Sequence, residues 1–194
     1  MNTMKRKLGD LLMLQQGVNQ TRIKKDKDFY GYVLYDQSSF EEDLMTDTVP
    51  NKQYDTDKKE LILSKGDIVI NAMQQEAAIV GRVNAGKILP TNFVKVIFLN
   101  KNLDKRYFVY LFNANKTFQR QKEREVQGTA AVMRIPMKSI KKLEIPFIGI
   151  EDQKKIGLAY TRMMSLKKKQ QILIKETETL TLQILEQKTR DNKG

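Results

Sequence analysis

Residues 134–187 read RIPMKSIKKLEIPFIGIEDQKKIGLAYTRMMSLKKKQQILIKETETLTLQILEQ. A Pro-bounded apolar strand runs, without a linker, into a heptad-patterned helix. From Ile156 the a and d positions are Ile156, Ala159, Met163, Leu166, Gln170, Leu173, Thr177, Leu180 and Ile184, seven apolar residues out of nine. A period of 3.5 held this long belongs to a helix that packs lengthwise on another helix. A continuous helix over residues 151–190 is a rod of about 60 Å at a rise of about 1.5 Å per residue. A domain of this size does not cover such a rod along its length, so the rod spaces, dimerises or docks. A helix laid on its own domain is the plainer alternative for the same stripe.

Composition narrows the rest. The chain has 194 residues, 40% of them apolar, enough for one domain with a core plus an extension. A net charge of +12 points to a polyanion, with nucleic acid as the first expectation. The charge is uneven: residues 36–60 hold eight acidic side chains against three lysines, so the remainder is more basic still. There is no cysteine and no histidine, which removes disulfides, thiolate zinc sites, cysteine nucleophiles and histidine general bases together. The longest apolar runs, such as IVINAM (68–73) and VKVIFL (94–99), are strand-sized, and residues 1–10 lack an apolar signal core. A cytoplasmic protein with no membrane partner is the expectation.

The pattern predicts an α+β fold: a small β-rich domain with packed helices over residues 1–148, then a long C-terminal coiled-coil helix over 149–194. Residues 7–18 place Leu8, Leu11, Leu12 and Leu14 near one helical face, as a short helix or a strand-turn. Tyr30, Tyr32 and Tyr35 suit either core packing or stacking on a base. The acidic stretch 36–60 reads as an exposed loop. Residues 61–73 hold a turn at Lys65-Gly66-Asp67 followed by the β-branched run Ile68-Val69-Ile70, and further strands are expected at 78–83 and 93–99. Residues 103–126 have helical spacing (Tyr107, Leu111, Phe112, Phe118) with a basic C-terminal half. Two further strands, 132–135 and 143–145, flank a turn at 138–142.

Taken in order, Lys7-Leu8-Gly9-Asp10, Leu63-Ser64-Lys65-Gly66-Asp67-Ile68-Val69, the basic helix ending in Gly128-Thr129, Ile145-Pro146, and Glu151-Asp152-Gln153-Lys154-Lys155-Ile156 form a recognisable set. The whole chain resembles the DNA specificity (S) subunits of type I restriction-modification systems. Ile148-Gly149 stands where that family usually has Pro-Pro, and Asp152 where it often has Glu. Family members carry two target-recognition domains, each followed by a long helix, and the helices pack antiparallel as a spacer. One domain and one helix therefore resemble half of such a subunit. The resemblance implies a non-catalytic DNA-reading subunit that directs adenine methylation by methyltransferase (M) subunits and works with restriction (R) subunits. S-adenosylmethionine, ATP and Mg are implied only on those partners, so this chain is expected to hold no cofactor and no metal.

On this reading Lys116, Arg120, Lys122 and Arg124 contact phosphates, and the Gly128-Thr129 loop approaches a groove. Gln74, Gln75, Arg82, Asn92, Gln127 and Arg134 lie near expected turns and are candidates for base edges, because Arg pairs with guanine and Asn or Gln with adenine. Ile156, Ala159, Met163, Leu166, Leu173, Leu180 and Ile184 form the pairing seam, with a second copy or with another half S chain. Asp55 and Asp57 lack a third ligand for a metal site. No Walker loop, Asn-Pro-Pro-aromatic motif or nuclease-like carboxylate set occurs, so no catalytic residue is assigned. An adaptor that binds only protein partners, and a basic RNA-binding module, are the competing functions.

Overall fold

The computed structural model describes residues 4–19, 21, 31–46, 61–129 and 132–191. Its centre is a four-stranded antiparallel sheet of β2 (Leu12–Gln16), β5 (Phe93–Phe98), β3 (Ile68–Asn71) and β4 (Glu76–Ile79), in that order. Alternate residues of these strands enter two cores. Ile68, Ile70, Ala77, Ile79, Val94, Val96 and Phe98 face one layer with Phe108, Phe112 and Phe118. Val69, Ala78 and Phe93 face the other with Tyr35, Phe40 and Leu89. A sheet covered on both faces needs no polar alternation, and this is why its strands read as near-continuous apolar runs. The exception is Lys95, whose buried ammonium sits 2.6 Å from the buried Asp67 carboxylate.

Two small pairings flank this sheet. β1 (Lys5–Lys7) pairs with β8 (Glu144–Pro146), and β6 (Gln127–Thr129) pairs with β7 (Val132–Arg134). The helices are α1 (Gln37–Leu44), α2 (Lys105–Ala114), α3 (Lys116–Glu125), α4 (Met137–Lys142) and α5 (Ile150–Asp191).

Of the two forms expected for residues 7–18, the strand-turn is the one present: the end of β1, a 3-10 turn at Leu8–Asp10 and β2, with Leu8, Leu11 and Leu12 all buried. Other sequence expectations need correction. The acidic stretch does not begin as a loop: Asp36 caps α1 by accepting from Ser39 N at 2.8 Å, and Phe40 and Asp43 are buried. Residues 47–60 lie outside the described residues. The helix expected over 103–126 is two helices, divided at Asn115, whose extended backbone and side-chain acceptance from Phe118 N start α3 afresh. The turn at 138–142 is helix α4. Tyr35 is a core residue whose hydroxyl donates to Asp43 at 3.0 Å, Tyr32 is exposed, and Tyr30 lies outside the described residues.

Helix α5 has 42 residues, a rod of about 63 Å. Its first turns dock on α2 through Gln153, Gly157, Tyr160, Thr161 and Met164. The Gln153 amide is fully enclosed: Oε1 accepts from Asp104 N at 2.9 Å, and Nε2 donates to Asn102 O at 2.9 Å and to Ile148 O at 2.8 Å. Gly157 lets the backbones meet, since a Cβ there would lie 2.5 Å from Tyr107 N. Tyr160 meets Tyr110 edge-on at 5.8 Å. From Lys169 to Arg190 every residue is exposed. At about 100° per residue, the docked face is about 145° from the heptad stripe. Ile156 is half-buried against its own domain, while Met163, Leu166, Leu173, Leu180 and Ile184 are 48–64% exposed.

Candidate nucleic-acid interface

Antiparallel pairing brings one set of strand ends together: the end of β2, the β3–β4 turn and the start of β5 share one edge of the sheet. The segment from β7 into α4 crosses that edge, held by Ile135 N donating to Ala72 O at 3.2 Å. Between them lies an open groove of about 500 Å³. Gln16, Thr91, Asn92, Arg134 and Lys138 are its polar lining residues; Val94, Ile135 and Met137 are among its apolar walls. Gln16 Nε2 donates to Thr91 O at 3.3 Å and so fixes the Asn92 loop against the end of β2. Met73 stands exposed beside the groove.

The β3–β4 turn is tightly specified. Asn71 Oδ1 accepts from Met73 N at 3.0 Å and Gln74 N at 3.1 Å, while its Nδ2 donates to Gln74 Oε1 and Gln37 Oε1, both at 3.0 Å. Gln75 has φ of +59°, the one non-glycine with positive φ among the described residues, and its N–H donates to Asn71 O at 2.8 Å. Gln74 is exposed at the tip, with its Oε1 held by Asn71 Nδ2.

Helix α3 is two-faced. Lys116, Arg120 and Arg124 recur every four residues on its exposed side, whereas Phe118 and Lys122 point inward. The phosphate contact expected of Lys122 is corrected by its burial. Its Nζ donates to Gln75 O and Phe112 O, each at 2.6 Å, over the Phe112 ring at 4.6 Å. Burial pushes this ammonium down to about 8, opposed by Glu76, whose own carboxyl burial pushes up. The β6–β7 hairpin presents Gln127, Gly128 and Arg134 to solvent, with Gln127 opposite Arg134 in register. Gly128 has φ of +136°, which a side chain rarely adopts. Thr129 ends β6.

The fold thus brings Asn92 and Arg134 into the groove, with Gln74 and Gln75 following Met73 in the β3–β4 turn and Gln127 opposite Arg134 on β6, while Gly128 and Thr129 continue β6 and the outer face of α3 lies on a helix tied to the β3–β4 turn. Arg82 is exposed but lies past the far end of β4, since that strand runs away from the groove. Sequence reasoning missed Gln16 and Lys138 in the groove, and Gln153 and Gly157 at the base of the rod. Glutamine at the end of an apolar strand and glycine inside a helical pattern were the available signals. Cations for phosphate and amides for base edges are what this surface offers. Among the described residues no group of three His, Cys, Asp or Glu is placed to hold a metal ion, and no helix is long and apolar enough to cross a membrane. Asp55 and Asp57 lie outside the described residues.

No curated protein matches the sequence. Its backbone is similar to the HsdS subunit from Thermoanaerobacter tengcongensis (TM-score 0.50, 14% identity, 84% of this chain and 37% of that one). It is also similar to a chain from a structure concerned with complex assembly and conformational transition of the type I R-M system (TM-score 0.53, 13% identity, 92% and 41%). The chain spans about two fifths of the length of these structures, and at such identities the likeness is one of fold. Residues 2–181 match the type I restriction modification DNA specificity domain, so the chain belongs to that family.

Proposed function

We propose that this chain is a sequence-specific DNA recognition subunit of a type I restriction-modification complex, directing adenine methylation and restriction by M and R subunits at a bipartite target. The observation that carries the reading is the basic, amide-rimmed groove at one end of the sheet, in a chain of this family. Phosphate contacts from Lys116, Arg120 and Arg124 supply salt-dependent affinity; Gln74, Asn92, Gln127 and Arg134 supply discrimination. Methyl donor, nucleotide and Mg2+ belong to the partner subunits, in the cytoplasm.

The stripe on α5 pairs with a second copy. Antiparallel a-to-d layers then join Ala159 to Ile184, Met163 to Leu180, Leu166 to Thr177 and Gln170 to Leu173 of the other copy. Small faces large, each polar residue faces leucine, and Lys169 lies across from Glu176. Thr177 suits the seam because its hydroxyl donates back to Leu173 O at 2.8 Å, leaving its methyl outward. A parallel pair instead sets Gln170 against Gln170 and Arg162 beside Lys167. The two-fold arrangement presents two identical reading heads, hence an interrupted palindrome.

Methylomes of a host with and without this gene test the function. Loss of adenine methylation at one discontinuous motif is the expected result. An unchanged methylome in a host with an active M partner contradicts it and favours an adaptor.

A further inference from the structure

We infer that Lys122 is a positioning residue: its buried ammonium fixes the β3–β4 turn relative to α3, and so sets how well Gln74 discriminates between sequences. This rests on the DNA-reading function proposed above. Three elements meet at one nitrogen, because Nζ donates to the carbonyls of Gln75 in the turn and Phe112 in α2, while the side chain comes from α3. The residue is 2% exposed, out of reach of a phosphate.

The geometry of the turn explains why a cation is retained there. The carbonyl of Gln75, at the positive-φ position of the turn, meets the buried Lys122, and a carbonyl shielded from water without a donor is costly. Methionine fits the same channel but removes the Lys122 donor from that carbonyl, whereas Phe112 O keeps its bond from Gln119 Nε2 at 2.8 Å. The turn's other anchors come from different directions: Asn71 from within, Gln37 from α1 through Asn71, and Ile135 through Ala72 O. Among the hydrogen bonds of the described residues, those of Lys122 connect the turn to the helix whose outer face carries Lys116, Arg120 and Arg124. Loss of Lys122 therefore uncouples the residues that read from those that hold phosphate, without removing a phosphate contact.

The test measures binding of the full chain, in complex with its M partner, to a duplex selected by the wild type and to a scrambled duplex, across a salt series. For Lys122→Met the ratio of selected to scrambled affinity should fall at least tenfold, while scrambled binding and the salt slope stay at wild-type values. Arg120→Ala should lower both affinities alike and reduce the slope by about 1. Lys122→Arg, which keeps donors, should restore most of the ratio. Amide exchange at residues 71–76 should rise in Lys122→Met, with the far end of α5 unchanged, and this reads the turn independently of DNA. An unchanged ratio and unchanged exchange overturn the inference, as does a reduced salt slope, which would mark Lys122 as a phosphate contact. A wild type with no sequence preference refutes the DNA-reading function itself, and would do so even with exchange raised in the variant.

Discussion

Gly157→Ala should unseat the long helix. A Cβ built at Gly157 lies 2.5 Å from Tyr107 N and 2.7 Å from the carbonyl carbon and Cβ of Arg106. Two of those three atoms are backbone at the start of α2, where Tyr107 N is already bound to Asp104 Oδ1 at 2.9 Å, so they cannot swing aside. Contact therefore returns only if the helices separate by about 1 Å. Alanine gains about 0.5–1 kcal/mol over glycine inside a helix. Overpacking at a site that cannot give costs about 1–3 kcal/mol, and the enclosed Gln153 amide one turn earlier stretches with it. The balance is a loss of about 1–2 kcal/mol, on a lever whose free end lies about 50 Å away. Urea unfolding should show a lower midpoint at unchanged slope. A variant more stable than the wild type by about 0.5–1 kcal/mol, the value for an open helical site, refutes the close crossing of α2 and α5.

Leu173→Glu and Leu180→Glu should each convert a dimer to monomer in light scattering, because each places a charge in two layers of a two-fold seam; an unchanged mass rejects the seam. Lys169→Glu should weaken the dimer and Lys169→Glu with Glu176→Lys should restore it, which a parallel register does not allow. Lys122 also links stability to pH. Its folded value near about 8 lies below the 10.5 of an ordinary lysine, so between those limits the unfolded chain holds more protons and stability should rise with pH, by up to about 3 kcal/mol. Below the window both states are protonated and the slope vanishes. Lys122→Met should remove this rise in urea midpoints from pH 8 to 10; an identical rise in the variant assigns it elsewhere.

The elements that were legible in the sequence are those whose burial is simple. β3 and β5 are covered on both faces, so Ile68-Val69-Ile70 and Phe93-Val94 read as strands without ambiguity, and Gly66 marks the turn before them. The heptads of α5 stand out because the distal rod answers to no tertiary context. Helix α1 was hidden because QSSFEEDL is polar; its burial depends on Phe40 and on Asp43, which is satisfied by Tyr35, Gly81 and Asn84. That network holds Asp43 in the interior, where burial raises its carboxyl above the usual range. The split at Asn115 takes one residue, and helical spacing continues across it. Lys122 looked like its neighbours by type, although its place four residues after Phe118 puts it on the inner face. The groove was illegible for another reason: residues 16, 72–73, 91–94 and 134–138 meet only through strand pairing, and no spacing along the chain encodes it.

Selection from a pool of random duplexes by the full chain, together with the M subunit of the proposed complex, tests two-headed reading most directly. The enriched sequences should contain two inverted copies of one short half-site, separated by a gap of constant length. Enrichment of a single uninterrupted site, or of no motif at all, contradicts it.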